Sequence, residues 1–154
     1  MYQWKNILLC LIFVFSNSIF ANDKPIKIGI VTFLSGPAAG PFGVPAKIAA
    51  DVIVESLNAG KVPHPYNSTG FSGRKIELVY VDEAGGASKQ VTEFRNLVSR
   101  QKVDFVIGYI SSGDCLAIPP VADELKTLTI LMDCGTPRVF EENDYKYVFR
   151  TRAH

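Results

Sequence analysis

The residues best suited to bind a small molecule lie in three short loops of serine, threonine, cysteine and glycine. These loops are Ser35-Gly36, Ser111-Ser112-Gly113 and Cys134-Gly135-Thr136. Each lies at or near a predicted helix start or sharp turn, where free backbone N–H groups and the positive end of a helix dipole favour an anion. We expect the Ser112 hydroxyl and neighbouring N–H groups to hold a carboxylate. The Thr136 hydroxyl and the Cys134 carbonyl are then expected to hydrogen-bond a second polar group of the ligand, such as an ammonium.

Helix capping is the alternative role for these serines, because serine is a preferred N-cap residue. Ligand binding is favoured only if the strand order brings the three loops to one crevice. Gly113 and Gly135 let the backbone approach a ligand closely. Phe42 is the predicted cover for an apolar part of the ligand, whereas Phe33 fits either that role or the core.

The elements that must position these loops are strands and helices that alternate along the chain. Short β-branched or alternating runs predict strands at 26–32, 74–82, 103–108, 127–132 and 145–151. Helical spacing predicts helices at 44–58, at 88–101 with Ser88 as the N-cap, and at 115–125. Residues 61–73 are predicted to form an exposed loop, and residues 133–137 a turn.

This alternation predicts an α/β fold with a doubly wound, mostly parallel sheet. The expected strand order is 2-1-3-4-5, which places the ligand crevice beyond the carboxyl ends of strands 1 and 3. With 154 residues, the chain is long enough for one domain at most.

The N-terminus has the pattern of a secretory signal peptide over residues 1–21. Lys5 is the only charge, an apolar run extends from Ile7 to Phe15, and cleavage is expected after Ala21 or Ser18. The run is shorter than the roughly 20 residues of a membrane span, although an uncleaved membrane anchor is the alternative. The sequence therefore predicts a secreted or periplasmic chain of residues 22–154.

Export also affects the interpretation of the cysteines. Cys115 begins the helix after strand 3 and Cys134 follows strand 4, so adjacent parallel strands would place both at one edge of the sheet. In an oxidising compartment this arrangement favours a disulfide, with two free buried thiols as the alternative. The cysteine spacing is not that of a zinc site, and neither histidine is near a cysteine, so we expect no metal and no cofactor.

Several kinds of chemistry lack their motifs in this sequence. The loop after strand 1 has no Gly-x-Gly-x-x-Gly pattern, and neither Ser111 nor Ser112 stands in a Gly-x-Ser-x-Gly elbow. The acidic residues at strand ends either form a carboxylate cluster or, as we favour, cap helices and pair with arginine; they are Asp82, Glu83, Asp114 and Asp133. A net charge of +1 without a basic stripe argues against nucleic acid. We therefore expect a protein that is not an enzyme.

The order of these segments resembles periplasmic solute-binding proteins of the leucine/isoleucine/valine-binding type. The opening Ile-Lys-Ile-Gly-Ile-Val-Thr-Phe-Leu-Ser-Gly resembles the start of their mature chains. The resemblance continues through nearly all of the mature chain, over Leu57–Gly60, Gly73–Asp82, Val106–Gly113, Gly135–Arg138 and Tyr147–Thr151. It implies that loops matching Ser112 and Cys134–Thr136 hold the ligand and that Phe42 covers it.

The resemblance also implies the biological role. It indicates the substrate-binding component of an ABC importer, which captures an amino acid or a similar small carboxylate or amide and works, as a monomer when complete, with a membrane permease. Family members are usually more than twice this length, so the chain is expected to be the N-terminal lobe without the second lobe. A sensory module with the same fold is the alternative, and a Rossmann-like enzyme is a third.

Overall fold

The five β-strands pair in parallel to form one sheet, and the computed structural model describes residues 24–152 of the chain. The strands are β1 (Ile26–Thr32), β2 (Ile76–Asp82), β3 (Phe105–Gly108), β4 (Thr129–Leu131) and β5 (Val148–Arg150). Their order in the sheet is β2-β1-β3-β4-β5, which confirms the predicted doubly wound α/β fold. The predicted signal peptide, residues 1–21, lies outside the described residues.

Four α-helices connect the strands. They are α1 (Val44–Asn58), α2 (Ala87–Asn96), α3 (Ser112–Glu124) and the short α4 (Arg138–Glu141). A π-helical turn, Ala39–Gly43, leads into α1, and a second, Leu97–Gln101, continues α2. Within residues 24–152, none of the helices combines the length and the apolar character needed to cross a membrane.

Two helix starts differ from the sequence prediction. The predicted N-cap Ser88 is wrong, because α2 begins at Ala87 after Gly86, which has φ 78° and makes no side-chain cap. Two consecutive glycines with positive φ, Gly85 and Gly86, turn the chain into this helix earlier than Ser88 would. Helix α3 begins at Ser112 rather than Cys115, because Ser111 supplies the cap. The single turn α4 has no counterpart in the prediction.

The buried core lies on the face of the sheet that α2 and α3 cover. These two helices pack against each other, and side chains alternate along each strand. Inward-facing strand residues such as Val31, Val106 and Leu131 pack with Phe94 and Ile118 from the helices, and all of them are fully buried. This core fixes α3, and therefore the loop that precedes it, against the end of β3.

Close approach between β1 and β3 depends on one glycine. A Cβ atom on Gly108 would lie 2.1 Å from the Val31 carbonyl oxygen, which is backbone and has little room to move. The absence of a side chain therefore lets the last residue of β3 lie directly against β1.

We expect Gly108→Ala to lower the free energy of unfolding by about 2 kcal/mol or more, because the new methyl group overlaps the Val31 backbone. Gly40→Ala is the matched control, since a Cβ atom there meets nothing within 4 Å. Urea unfolding of both variants measures the effect. Equal stabilities of the two variants would contradict this account of the β1–β3 approach.

A disulfide joins the start of α3 to the loop after β4. Cys115 and Cys134 form this bond with their Cα atoms 6.0 Å apart, and both residues are buried. This is the pairing that the sequence predicts. It links two of the three polar loops through the first turn of α3.

Replacing both cysteines, as Cys115→Ala with Cys134→Ala, should cost about 3 kcal/mol of stability, because the bond closes a loop with a sequence separation of 19 residues. Urea unfolding with and without dithiothreitol measures this cost. The reductant should destabilise the wild type and leave the double variant unchanged, and a wild type insensitive to reduction would refute the prediction.

Candidate functional site

The three polar loops leave the sheet at the same edge. Thr32 at the end of β1 lies opposite Asp82 of β2, and Val31 lies opposite Gly108 of β3. Gly108 in turn lies opposite Leu131 of β4. Because these strands are parallel and end in one register, the loops that follow β1, β3 and β4 emerge side by side.

The Asp82 carboxylate holds the loop after β1 through hydrogen bonds. Its Oδ1 atom accepts the N–H groups of Leu34 at 2.9 Å and Ala84 at 3.1 Å, and its Oδ2 atom accepts the Ser35 hydroxyl at 2.5 Å. Burial alone would raise the pKa of Asp82, but these hydrogen bonds outweigh burial and lower the pKa to about 2. Ser35 therefore lies at the predicted crevice with its hydroxyl proton committed to a carboxylate, while the residue itself is exposed.

The Glu83 carboxyl group holds the loop after β3 through hydrogen bonds. Its Oε1 atom accepts the N–H groups of both Ile110 and Ser111 at 2.7 Å, and its own N–H donates to the Thr32 carbonyl at 2.9 Å. Burial raises the pKa of Glu83 to about 7, against the effect of the two N–H groups, and the nearby Asp114 adds to the rise. One side chain at the end of β2 thus holds the loop in which Ser111–Gly113 lies.

The start of α3 offers free N–H donors to the crevice. Ser111 is the N-cap, since its hydroxyl oxygen accepts the Asp114 N–H at 3.5 Å, and its carbonyl accepts the Cys115 N–H at 2.9 Å. The next two residues, Ser112 and Gly113, are exposed at the first turn, where the helix provides no backbone acceptor for their N–H groups. Ser111 therefore has the capping role that was the alternative to ligand binding, whereas Ser112 is exposed and does not cap the helix.

The loop after β4 lies beside this helix start. Cys134 is buried in the disulfide to Cys115, whereas Gly135 is exposed and Thr136 half-buried. The Thr136 carbonyl accepts a hydrogen bond from Arg150 Nη1 at 2.7 Å. The third loop is therefore anchored covalently at one end and by a guanidinium at the other.

Phe42 lies in the π-helical turn before α1 with half of its surface exposed (50%). The adjacent Gly43 explains how this turn is held, because a Cβ atom there would meet the Phe33 carbonyl oxygen at 1.6 Å. Phe42 takes no part in the hydrogen bonds and the disulfide that hold the three polar loops. Its ring is accessible, as the predicted role in covering a ligand requires.

The residues that hold the site together are carboxylates that the sequence analysis considered only in general terms. Asp82 and Glu83 bind loop backbone, and Asp114 lies buried in the first turn of α3. Asp133 pairs with Arg152, as we favoured for all four acidic residues, but Asp82 and Glu83 instead accept hydrogen bonds from loops and cap no described helix. A signal was present, because two adjacent acidic residues at the carboxyl end of β2, beside the end of β1, are well placed to bind neighbouring loops. Over residues 24–152, no group of three or more His, Cys, Asp or Glu side chains could hold a metal ion.

A separate cavity of about 360 Å³ lies between α1 and the sheet. Its lining is apolar and includes Ile28, Ile30 and Ile107 from the strands and Ala49 and Ile53 from the helix. It provides no donors for a carboxylate. The polar edge formed by the loops is therefore the better candidate for a ligand site.

Comparisons with known proteins identify the family and the fold of the chain. A family model described as "periplasmic binding protein" matches residues 25–154. The chain belongs to this family. Its fold is the type I fold of such binding proteins, represented here in part. No curated protein sequence matches the chain.

Solved structures of similar fold include several transporter binding proteins. The branched-chain amino acid transporter substrate-binding protein LivJ from Streptococcus pneumoniae, in complex with isoleucine, is 26% identical with a TM-score of 0.69. The match covers 82% of this periplasmic binding protein and 33% of LivJ. An ABC transporter solute-binding protein from R. palustris, in complex with 4-hydroxybenzoate, is 24% identical with a TM-score of 0.67, over 82% of this chain and 31% of that one. The periplasmic binding protein described here thus spans about a third of the length of these structures.

We expect Asp82→Asn to destabilise the periplasmic binding protein by about 1–2 kcal/mol at pH 7, because a carboxylate that accepts three hydrogen bonds is replaced by an amide. Since the folded-state pKa of Asp82 is lowered from 3.8 to about 2, its contribution is present above pH 4 and is lost as the pH falls toward 2. Chemical denaturation at pH 7 and pH 3 measures both effects. The gap between variant and wild type should narrow at the lower pH, and a constant gap would contradict the assignment.

Proposed function

We propose that this chain is the first ligand-binding lobe of an extracytoplasmic substrate-binding protein that serves an ABC importer. Its ligand is an amino acid or a similar small carboxylate or amide. The observation that carries the proposal is the exposed start of α3, where the Ser112 and Gly113 N–H groups face the edge at which the three loops meet. A helix N-terminus attracts anions through these free donors and the helix dipole.

The neighbouring loop supports a second contact. The disulfide holds Cys134 beside Cys115 in the first turn of α3, and the Thr136 hydroxyl and the Cys134 carbonyl belong to the loop that it anchors. We assign them to the second polar group of the ligand, and Phe42, with its exposed ring, to an apolar part. Ser35 contributes through its oxygen, since its proton is donated to Asp82.

The chemistry of the edge favours capture without turnover. Two of the serines at the edge have structural partners, since Ser111 caps a helix and Ser35 donates to a carboxylate, and the family consists of solute-binding proteins. The LivJ structure contains isoleucine and the R. palustris structure contains 4-hydroxybenzoate, so α-amino acids and aromatic acids are the first ligand classes to test. The partner in this role is the membrane permease of the importer, and the chain reaches it by export.

A thermal-shift screen of the mature chain extended through its downstream reading frame, against amino acids, aromatic acids, amides and urea, tests this function. A ligand that binds the folded state raises the melting temperature in proportion to its concentration and affinity. We expect a rise with one class that contains a carboxylate, and Ser112→Ala should weaken that binding about tenfold by removing one hydrogen bond to a charged group. Affinity measured by calorimetry gives the ratio.

Ser88→Ala is the matched control, because Ser88 is an exposed serine in the first turn of α2, away from the loops. Its affinity for the same ligand should equal that of the wild type. No shift with any of the four classes, from a folded protein, would refute the proposed function. We further expect residues 22–154 alone to bind more weakly than micromolar, because one lobe cannot enclose and desolvate a ligand.

A further inference from the structure

Two carboxyl groups are buried directly beneath the start of α3. Glu83 is 1% exposed and Asp114 is 2% exposed, and Tyr109, between β3 and α3, is fully buried. Both residues contact Ser111, because Glu83 Oε1 accepts the Ser111 N–H and the Asp114 N–H donates to the Ser111 hydroxyl. Two ionised carboxylates at this depth would repel each other and would lack the solvation that stabilises them in water.

The two oxygens of Glu83 have different surroundings. Oε1 accepts the N–H groups of Ile110 and Ser111, but Oε2 is buried and receives no hydrogen bond from any described N–H or O–H group. A proton on Oε2 removes the charge from this buried oxygen and leaves Oε1 to accept the two loop N–H groups. The ionised form, in contrast, leaves a buried, charged oxygen without a partner.

We propose that Glu83 is the positioning residue of the ligand loop and that it carries a proton, so that the site above takes up an anionic group more strongly when that proton is present. This inference rests on the proposed function, because it assumes that the anion binds at Ser112 and Gly113. Burial, which raises the pKa of Glu83 to about 7 and also raises the pKa of Asp114, supports it.

The surroundings of Glu83 offer little positive charge to replace the proton. Asp114 on α3 and Tyr109 in the following loop of β3 are its titratable neighbours, since each interacts electrostatically with Glu83. From α2, the neutral Gln90 side chain donates to the carbonyls of Asp82 and Ala84, and the exposed ammonium of Lys89 donates to the Ala84 carbonyl. The ionised Asp82 carboxylate adds a further negative charge at the end of β2.

The backbone conformation of the loop after β3 explains why hydrogen bonds are needed to keep it in place. Tyr109 has a φ angle of 66°, a left-handed conformation that is unfavourable for a bulky residue. The Tyr109 N–H donates to the Val31 carbonyl at 3.1 Å, and the next two N–H groups donate to Glu83. These three bonds fix the direction in which the first turn of α3 points its free donors.

Protonation of Glu83 and binding of an anion at the start of α3 are therefore coupled. An anion at the Ser112 and Gly113 N–H groups lies about one helical turn from the buried pair, where it stabilises the protonated form. Conversely, loss of the proton adds one buried negative charge that opposes the anion. A charge within about 10 Å at an effective dielectric constant of about 20 changes affinity roughly tenfold.

NMR of the full chain tests the inference with acetate as an anionic probe and acetamide as its neutral counterpart. Binding is followed by the amide shifts of Ser112 and Gly113 at pH 6.0 and pH 8.5, and protonation by the ¹³C shift of the Glu83 carboxyl. We expect acetate to bind roughly tenfold more weakly at pH 8.5 and acetamide to bind equally at both values. The amides of Ile110 and Ser111 should shift together with the Glu83 titration.

Two variants separate positioning from a merely structural role. Glu83→Gln keeps an acceptor for the loop without the charge, so it should bind acetate at both pH values as the wild type does at pH 6.0. Glu77→Gln is the control, because Glu77 is an exposed carboxylate on the same strand. It should retain the wild-type pH dependence.

The outcomes distinguish this inference from the proposed function. A Glu83 carboxyl that titrates below pH 5, or acetate affinity that is equal at both pH values, overturns the proton link and leaves the proposed function standing. If Glu83 titrates with the loop amides but acetate never perturbs Ser112 and Gly113, the anion site of the proposed function is wrong. The positioning role of Glu83 is then retained.

Discussion

The parallel pairing of β1 with β2 and β3 is the constraint on which the rest of the structure depends. Because Thr32 lies opposite Asp82 and Val31 lies opposite Gly108, three strands end at the same level. The close contact at Gly108 keeps β3 against β1. The loops that follow can then bind one another, and the candidate site exists only because their starting points are aligned.

Carboxylates, rather than apolar contacts, hold the loops in place at this edge. Burial acts against ionisation of both residues, but hydrogen bonds lower the pKa of Asp82 to about 2, whereas the pKa of Glu83 is raised to about 7. Adjacent residues at one strand end thus acquire opposite pKa shifts, because Asp82 accepts more hydrogen bonds and Glu83 is buried more deeply. The disulfide adds a covalent link from α3 to the third loop.

The two faces of the sheet are covered unequally within residues 24–152. The α2 and α3 face contains the buried core, but α1 has no buried residue, and Ile48, Val52 and Ile53 each expose more than half of their surface. Parallel sheets are normally covered on both faces. Across the strands, Ile30, Ile107 and Ile130 stand in register, and Ile30 and Ile107 of this apolar row line the cavity beside α1.

The sequence by itself determined the local elements and their class. The spans Ile26–Thr32 and Val44–Asn58 match the prediction residue for residue, because periodicity and the flanking glycines encode them locally. The strand order also followed from the alternation of strands and helices. Only the tertiary structure decided that Glu83 holds the loop after β3 and is buried near Asp114, since these contacts join residues far apart in the chain. Burial, which sets their protonation, is a property of the packed fold that no local pattern records.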